Sequence, residues 1–352
     1  MIWLYQLGYA AYCGLALLAI PFVRKVRLGL WGRLGLHRRL EQHCQWKSCF
    51  WFHVASSGEL EQCLPILEQL KADSPEHSIL LTYFSPSGKR GVELEVARRN
   101  RVGAKIPWDY ADYSPFDFLF SAKSWIRATR PEAVVCINKE LWPGLLYVCK
   151  KAQIPCYLFA TYFSEKAKRH LGRYQRYLND FRLVGTVVDS TTDVLKRLLP
   201  NAQIETLGDP RIDRVMQRKS FQKVAPWEVF FKTSKVGLFA SLWEEDFRAL
   251  QPSLEALLKT KQWRLILVPH EPHGNVSTEI LEYFASQGET IRRWTHWQYE
   301  PDDHSHLLVD TVGILAELYR IATFVFVGGS FRGRIHNVLE PAAYAKPLFT
   351  GP

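Results

Sequence analysis

Phe324-Val-Phe-Val-Gly-Gly-Ser330, followed by His336-Asn-Val-Leu-Glu-Pro341, is the stretch on which the fold turns. Four apolar residues in a row, two of them β-branched, read as a strand buried on both faces. Two glycines then bare the backbone, and a helix is expected behind them with a carboxylate near its start. A strand, a bare turn and a helix N-terminus make a place where backbone N–H groups meet a phosphate. Glu340 is positioned to take both hydroxyls of a ribose, although a carboxylate there also serves as a plain helix cap.

In the same half of the chain, strands are expected at 236–240, 264–268, 307–309 and 324–327, with helices at 247–258, 278–287 and 314–321 between them. The amino-terminal half repeats the alternation, with strands at 51–55, 78–84, 133–137, 156–160, 183–188 and 204–207 and helices at 59–71, 141–152 and 191–199. Strand and helix in alternation build a parallel sheet covered on both faces. Residues 215–235 lapse into a polar and aromatic stretch with Pro226, which reads as a linker. Neither half carries GxGxxG, so a hydride-transferring Rossmann enzyme is disfavoured. The expectation is two α/β domains facing one cleft, with ligands outside the carboxyl ends of the strands.

The 352 residues, 47% of them hydrophobic, are enough for two cores. A net charge of +10 calls for anionic partners: nucleic acid, an acidic membrane surface or phosphorylated substrates. Nucleic acid is disfavoured, because no recognition motif is present and the basic residues cluster only after the N-terminal apolar stretch. Cys13, Cys44, Cys49, Cys63, Cys136, Cys149 and Cys156 are odd in number and lack paired CxxC spacing, so they read as reduced thiols. His43 with Cys44 and Cys49 has no second ligand pair to complete a zinc site.

Residues 2–23 carry no charge, and as one helix they would reach about 33 Å, enough to span a bilayer. Arg24, Lys25, Arg27, Arg33, Arg38 and Arg39 follow, which would hold that side in the cytoplasm against anionic lipid. Because the charges follow the apolar stretch, a retained single anchor is favoured over a cleaved signal. Pro21 and two glycines leave room for a shallower, interfacial helix. At the other end, residues 347–352 read as a strand and turn without a covering helix, so the carboxyl-terminal domain is expected to be incomplete.

His53-Val-Ala-Ser-Ser-Gly-Glu59 sets a carboxylate where the first strand turns into a helix. Glu59 is the expected general base, drawing the proton from an attacking hydroxyl. The helix N-terminus would favour its ionised form and keep it a weak base; the plainer reading is a capping box with Ser56 as the cap. Ser57 and Gly58 share that turn. Ser87 and Lys89, in Thr82-Tyr-Phe-Ser-Pro-Ser-Gly88-Lys-Arg90, are expected to face a phosphate or carboxylate, and Glu140 to orient the acceptor. In the second half, Ser241, His270, Gly313, Gly328, Gly329, Ser330, Asn337 and Glu340 lie around strand ends, where a nucleotide would sit. No Asp-x-Asp is present, so no metal-bridged diphosphate and no cofactor are expected; a nucleoside monophosphate leaving group fits better.

These motifs together resemble the 3-deoxy-D-manno-octulosonic acid (Kdo) transferases, glycosyltransferase family 30. The resemblance is carried by residues 53–59 (family pattern HAxSxGE), residues 82–88, Glu140-Leu-Trp-Pro143, Gly208-Asp-Pro-Arg-Ile-Asp213, Asp310-Thr-Val-Gly313, Val327-Gly-Gly-Ser330, His336-Asn337 and Leu339-Glu-Pro341. It departs where Asn138-Lys-Glu-Leu-Trp-Pro-Gly144 stands for ExELWPN, Ala160-Thr-Tyr-Phe-Ser164 for NARLS, and Pro269-His270 for Pro-Arg-His. The resemblance implies a GT-B fold, Glu59 as the catalytic glutamate, and inversion at the Kdo anomeric carbon. It also implies CMP-Kdo held by the carboxyl-terminal domain, and a lipid A precursor as acceptor at the cytoplasmic face of a bacterial inner membrane. The domains follow as an anchor at 1–23, an acceptor-binding domain at 24–214, a linker at 215–235 and a CMP-sugar-binding domain at 236–352. Two other readings stand beside this one: another GT-B enzyme such as a UDP-sugar epimerase, or a catalytically silent lipid A-binding protein.

Overall fold

Short apolar runs bounded by turns become the central strands of two parallel sheets. The computed structural model describes residues 2–221, 225–231, 234–298, 305–333 and 335–352. It divides into two compact units, Met1–Arg214 and Val215–Pro352.

The first unit opens with three helices, α1 (Ile2–Leu18), α2 (Arg24–Trp31) and α3 (Leu36–His43). Its strands are β1 (Cys49–Val54), β2 (Ser78–Tyr83), β3 (Tyr110–Tyr113), β4 (Pro131–Ile137), β5 (Cys156–Thr161), β6 (Leu183–Thr186) and β7 (Ile204–Thr206). They lie in the order β3-β2-β1-β4-β5-β6-β7, with every pairing parallel. Helices α4 (Ser57–Asp73), α5 (Pro86–Val102), α6 (Leu119–Thr129) and α7 (Pro143–Lys151) connect the strands. Trp51, Phe52 and Val54 of β1 are buried, as are Val134, Cys136 and Ile137 of β4, since helices cover both faces of a parallel sheet. The strand order reverses between β1 and β4, and in such sheets the crevice at the reversal is where ligands bind.

The expected spanning helix is not formed. At 17 residues α1 is about 25 Å long, short of the ~30 Å of a bilayer core. The chain turns before Pro21, whose ring interrupts helical hydrogen bonding. Among the described residues no helix is long and apolar enough to cross a membrane. Instead α1 is tied to its own unit: the Tyr5 hydroxyl donates to Asp117 Oδ2 at 2.7 Å, and Gln6 Nε2 donates to the Asp117 carbonyl at 2.9 Å.

The second unit holds β8 (Lys235–Leu242), β9 (Trp263–Pro269), β10 (Ile291–Arg293), β11 (His306–Leu308), β12 (Phe324–Val327) and β13 (Leu348–Thr350). Their order is β10-β11-β9-β8-β12-β13, again parallel, and it reverses between β8 and β12. The stretch expected to be a linker is packed within this unit where it is described: Trp227 and Phe231 are buried in its core, edge-on to Trp294 and Trp297 respectively. Aromatic side chains of this size bury too much apolar area to be left in a solvated tether.

Residues 324–327 form the expected strand, but the segment behind it is not the expected helix. Gly329, at φ 98°, leads into a single 3₁₀ turn, Ser330–Arg332, and the helix begins only at Leu339 and lasts five residues. The two glycines therefore do not open a helix N-terminus.

Candidate active site

Strand β1 delivers Glu59 to the sheet's reversal point by running straight into α4. Ser56 is the N-cap, in extended conformation, but its side chain makes no capping bond. Glu59, in the first turn, reaches back and accepts from the Ala55 N–H. Only the glutamate half of the expected capping box is present.

Across the reversal, β4 ends at Ile137 and the chain bends through Asn138 at φ 64°, a left-handed conformation that asparagine tolerates better than most residues. The bend turns the Asn138 amide toward the Glu59 carboxylate, to which it donates a hydrogen bond. Glu140 follows, with its Oε2 accepting from Trp142 Nε1 at 2.9 Å and lying 3.5 Å from His53 Nε2. The buried His53 ring is fixed by Thr82 Oγ1 at 2.9 Å from Nδ1, and Trp51 Nε1 donates to the same hydroxyl at 2.8 Å.

This arrangement decides the protonation of Glu59. Burial raises its pKa, the neighbouring Glu140 carboxylate raises it further, and N–H donors from Ala55, Ser56 and Asn138 oppose them; the result is about 7, up from 4.5. The sequence expectation of a weak base held ionised by the helix end is thus corrected, because desolvation and a like charge outweigh the helix terminus. A carboxylate with a pKa near 7 suits proton abstraction at neutral pH.

Ser56, Gly58 and Glu59 line a pocket of about 410 Å³ together with Asn138, Lys139 and Arg211. Arg211 is oriented by Asp209, with Nη2 2.5 Å from Oδ2. The remaining candidates of this unit stand elsewhere. Ser57 lies exposed beside the pocket residues, and a side chain at Gly91 would run into its Cβ at 2.9 Å, which marks close packing of α4 on α5. Ser87 bonds Ser85, the N-cap of α5, and Lys89 pairs with Glu93 one turn on at 3.6 Å. Sequence reasoning left out Asn138, Lys139 and Arg211 as site residues. A polar residue directly after a buried strand was the available signal for Asn138.

In the second unit the reversal point is filled differently. Buried Asp246 accepts the Gly329 N–H at 2.8 and 3.0 Å, and the Trp243 N–H at 2.9 Å. The Gly329 donor expected to serve a phosphate is therefore already taken. Gly328 is required for packing, because a Cβ there would stand 2.6 Å from the Ser241 carbonyl and 2.7 Å from Asp246. Ser241 has φ 57°, at a bulge where the β8–β9 register shifts. His270 stacks on His336 at 4.5 Å and against Trp243 at 4.2 Å, while Trp243 Nε1 donates to His336 Nε2 at 3.0 Å. The structure thus groups Ser241, His270, Gly328 and Gly329 with His336 and Trp243, the last of which sequence reasoning missed. The Ser330 hydroxyl is buried without a hydrogen-bond partner among the described residues, Asn337 accepts the Leu339 N–H at 3.0 Å, Glu340 lies near Tyr319 and Tyr344, and Gly313 sits exposed at φ 98°.

Residues 28–214 match the family model described as 3-deoxy-D-manno-octulosonic-acid transferase (kdotransferase). The chain is 26% identical over 308 residues to the 3-deoxy-D-manno-octulosonic acid transferase of Haemophilus influenzae, covering 85% of this chain and 69% of the relative. It is 27% identical over 317 residues to that of Aquifex aeolicus, covering 87% and 76%. Among solved structures, UDP-GlcNAc 2-epimerase from Neisseria meningitidis aligns with a TM-score of 0.60 at 13% identity, over 85% of this chain and 81% of that one. At that identity the likeness speaks to the fold alone, so the epimerase reading is not favoured. Two Rossmann-like parallel sheets, and a family match spanning more than half of the sequence, place the chain in the Kdo transferase family of glycosyltransferases.

Proposed function

We propose that this glycosyltransferase moves Kdo from CMP-Kdo to a lipid A precursor in lipopolysaccharide biosynthesis, with inversion at the anomeric carbon. The observation that carries the reading is Glu59, a carboxylate brought to about pKa 7 by burial and Glu140 inside a pocket at the sheet's reversal point. In this reading the acceptor's glucosamine 6-hydroxyl gives its proton to Glu59 as its oxygen bonds to the anomeric carbon. The bond from that carbon to the phosphate oxygen breaks, and CMP leaves with the electron pair. Asn138 holds the Glu59 carboxylate, while Lys139 and Arg211 supply positive charge to an anionic acceptor.

The donor residues belong to the second unit. Ser241, His270, Gly313, Gly328 and Ser330 are assigned to the phosphate side, and Asn337 and Glu340 to the ribose. The step requires no metal in this reading, because the base is a carboxylate and the leaving group a monophosphate. In this reading the protein sits at the cytoplasmic face of the bacterial inner membrane, seated through the exposed apolar residues of α1 and α2 and the exposed cations Arg24, Lys25, Arg27 and Arg38, whereas Arg33 and Arg39, expected to share that role, are bonded within the first unit.

The test is incubation with CMP-Kdo and the tetraacylated lipid A precursor, followed by mass spectrometry of the lipid. The expected result is a mass gain of one or more Kdo units with the wild type and none with Glu59→Gln. Unchanged lipid with the wild type, or full transfer by Glu59→Gln, contradicts the assignment.

A further inference from the structure

Helices α1 and α2 leave between them a groove of about 640 Å³, within the ~300–1,000 Å³ range of ligand pockets. Tyr9, Cys13 and Leu17 line it from α1, Val26 and Leu30 from α2, and Phe84 from the segment after β2. Polar bonds hold its walls from below. Gln6 Oε1 accepts the Leu119 N–H at 3.0 Å, beside the Tyr5 and Gln6 bonds to Asp117. Arg33 donates to the carbonyls of Gly29, Phe84 and Ser114 at 2.8 to 2.9 Å, with its guanidinium 4.7 to 4.9 Å from the rings of Phe84, Tyr113 and Phe116. The groove is a built apolar feature and not a gap between loose helices.

Around the groove, α1, α2 and the turn between them expose apolar side chains. Leu18 is 72% exposed, Phe22 87% and Trp31 65%, with Arg24, Lys25 and Arg27 beside them. An apolar surface edged with cations is one that a bilayer with phosphate-bearing lipids covers, so the groove opens toward acyl chains. Its floor also leads to Glu59. Ser85, which lines it, donates from its hydroxyl to the Ala55 carbonyl at 2.6 Å and from its N–H to the same oxygen at 2.9 Å, while the Ala55 N–H holds the Glu59 carboxylate.

We propose that this groove takes an acyl chain of the phosphorylated glycolipid acceptor, so that the attached sugar is presented at the β1 edge that carries Glu59. This rests on the transfer reading given above. A bulk phospholipid is not the assigned occupant, because Ser85 of the groove is bonded to Ala55, whose N–H holds the base, and only the acceptor has to reach that base.

Cys13 provides a direct probe, since it is half-buried in the groove and the other six cysteines are buried. Maleimide labelling of Cys13 in the full-length protein on phosphatidylcholine–phosphatidylglycerol vesicles is expected to slow at least 10-fold further when the vesicles carry the acylated acceptor. The de-O,N-acylated sugar phosphate, added to the same vesicles, is expected to leave the rate within twofold. Equal labelling on vesicles with and without the acylated acceptor overturns the proposal. A Cβ at Gly14 meets nothing within 4 Å, so Gly14→Trp fills the groove without straining its own helix. It is expected to lower kcat/KM for the acylated acceptor at least 10-fold more than for the deacylated one, and an equal loss for both overturns the groove. Should the wild type transfer to neither acceptor while the acylated lipid still protects Cys13, the groove stands and the transfer reading falls.

Discussion

Glu59 and Glu95 are both helix carboxylates of the first unit, on α4 and α5, and their surroundings drive them in opposite directions. At Glu59, burial and the Glu140 carboxylate outweigh the neutral N–H donors and the group rises to about 7. Burial would raise Glu95 too, but Arg98, Arg214 and Arg99 override it and hold the group at about 2. Arg214 Nη2 lies 2.9 Å from Glu95 Oε2 and its Nε 2.7 Å from Glu61 Oε2; Arg99 Nε lies 2.7 Å from Glu95 Oε1. Burial alone, then, does not set a carboxylate's role. A buried acid surrounded by guanidinium groups is a strut, whereas one left beside another acid is poised to take a proton.

The contrast breaks most sharply by mutation. Glu59→Gln removes the proton acceptor while keeping the side chain's shape and one acceptor oxygen, and the transfer rate is expected to fall by about 10²–10⁴, the usual worth of a positioned base; a loss below tenfold in a steady-state assay contradicts the role. Arg214→Ala takes one of three guanidinium groups from buried Glu95 and the ion pair from the more exposed Glu61, and chemical denaturation is expected to show a loss of about 1.5–3 kcal/mol. Per folded molecule, that variant's catalytic rate should track the wild type far more closely than Glu59→Gln does.

A difference of sign separates the two acids in stability. The folded pKa of Glu59 lies above its unfolded value, so ionising it costs stability as pH rises from about 4.5 to 7. Glu59→Gln should therefore gain on the wild type between pH 5 and 8, by on the order of 2–3 kcal/mol. Glu95 is depressed, so its contribution is present above about 4.5 and is lost as pH falls toward 2. Denaturation midpoints measured across pH 2–8 check both signs, and a Glu59→Gln curve parallel to the wild type from pH 5 to 8 sinks the first.

The smallest expected effect is the most specific. Glu140→Gln removes the like charge that helps lift Glu59, so the acid limb of the pH–rate profile should move down and the ratio of the rate at pH 6 to that at pH 8 should rise. An unmoved limb would mean that burial alone sets the base.

The same contrast marks the boundary of what was legible in the sequence. Both sheets were legible because β1, β4, β8 and β12 are near-continuous apolar runs, and residues 324–327 formed the expected strand. Strand β3, Tyr-Ala-Asp-Tyr, went unread because its pattern is half polar. Helix α5 was legible only as a helix start at Lys89 and Arg90, because charged residues and glycines obscure the periodicity of the rest. Glu59 was legible by its place after a strand, but its raised pKa was not, since that depends on Glu140 some eighty positions away. Likewise nothing local foretold that Asp246 would occupy the Gly329 N–H, because a buried carboxylate finds its donors only once β8 and β12 lie side by side.

Whether Glu59 is a base poised near neutrality is open to direct observation by carbon-13 NMR of glutamate-labelled protein, through the difference between wild type and Glu59→Gln across pH 4–9. A single carboxyl signal, absent from the variant, is expected to titrate near pH 7. If the signal lost from the variant titrates near 4.5 instead, Glu59 is an ordinary surface-like carboxylate and the assignment of the base is wrong.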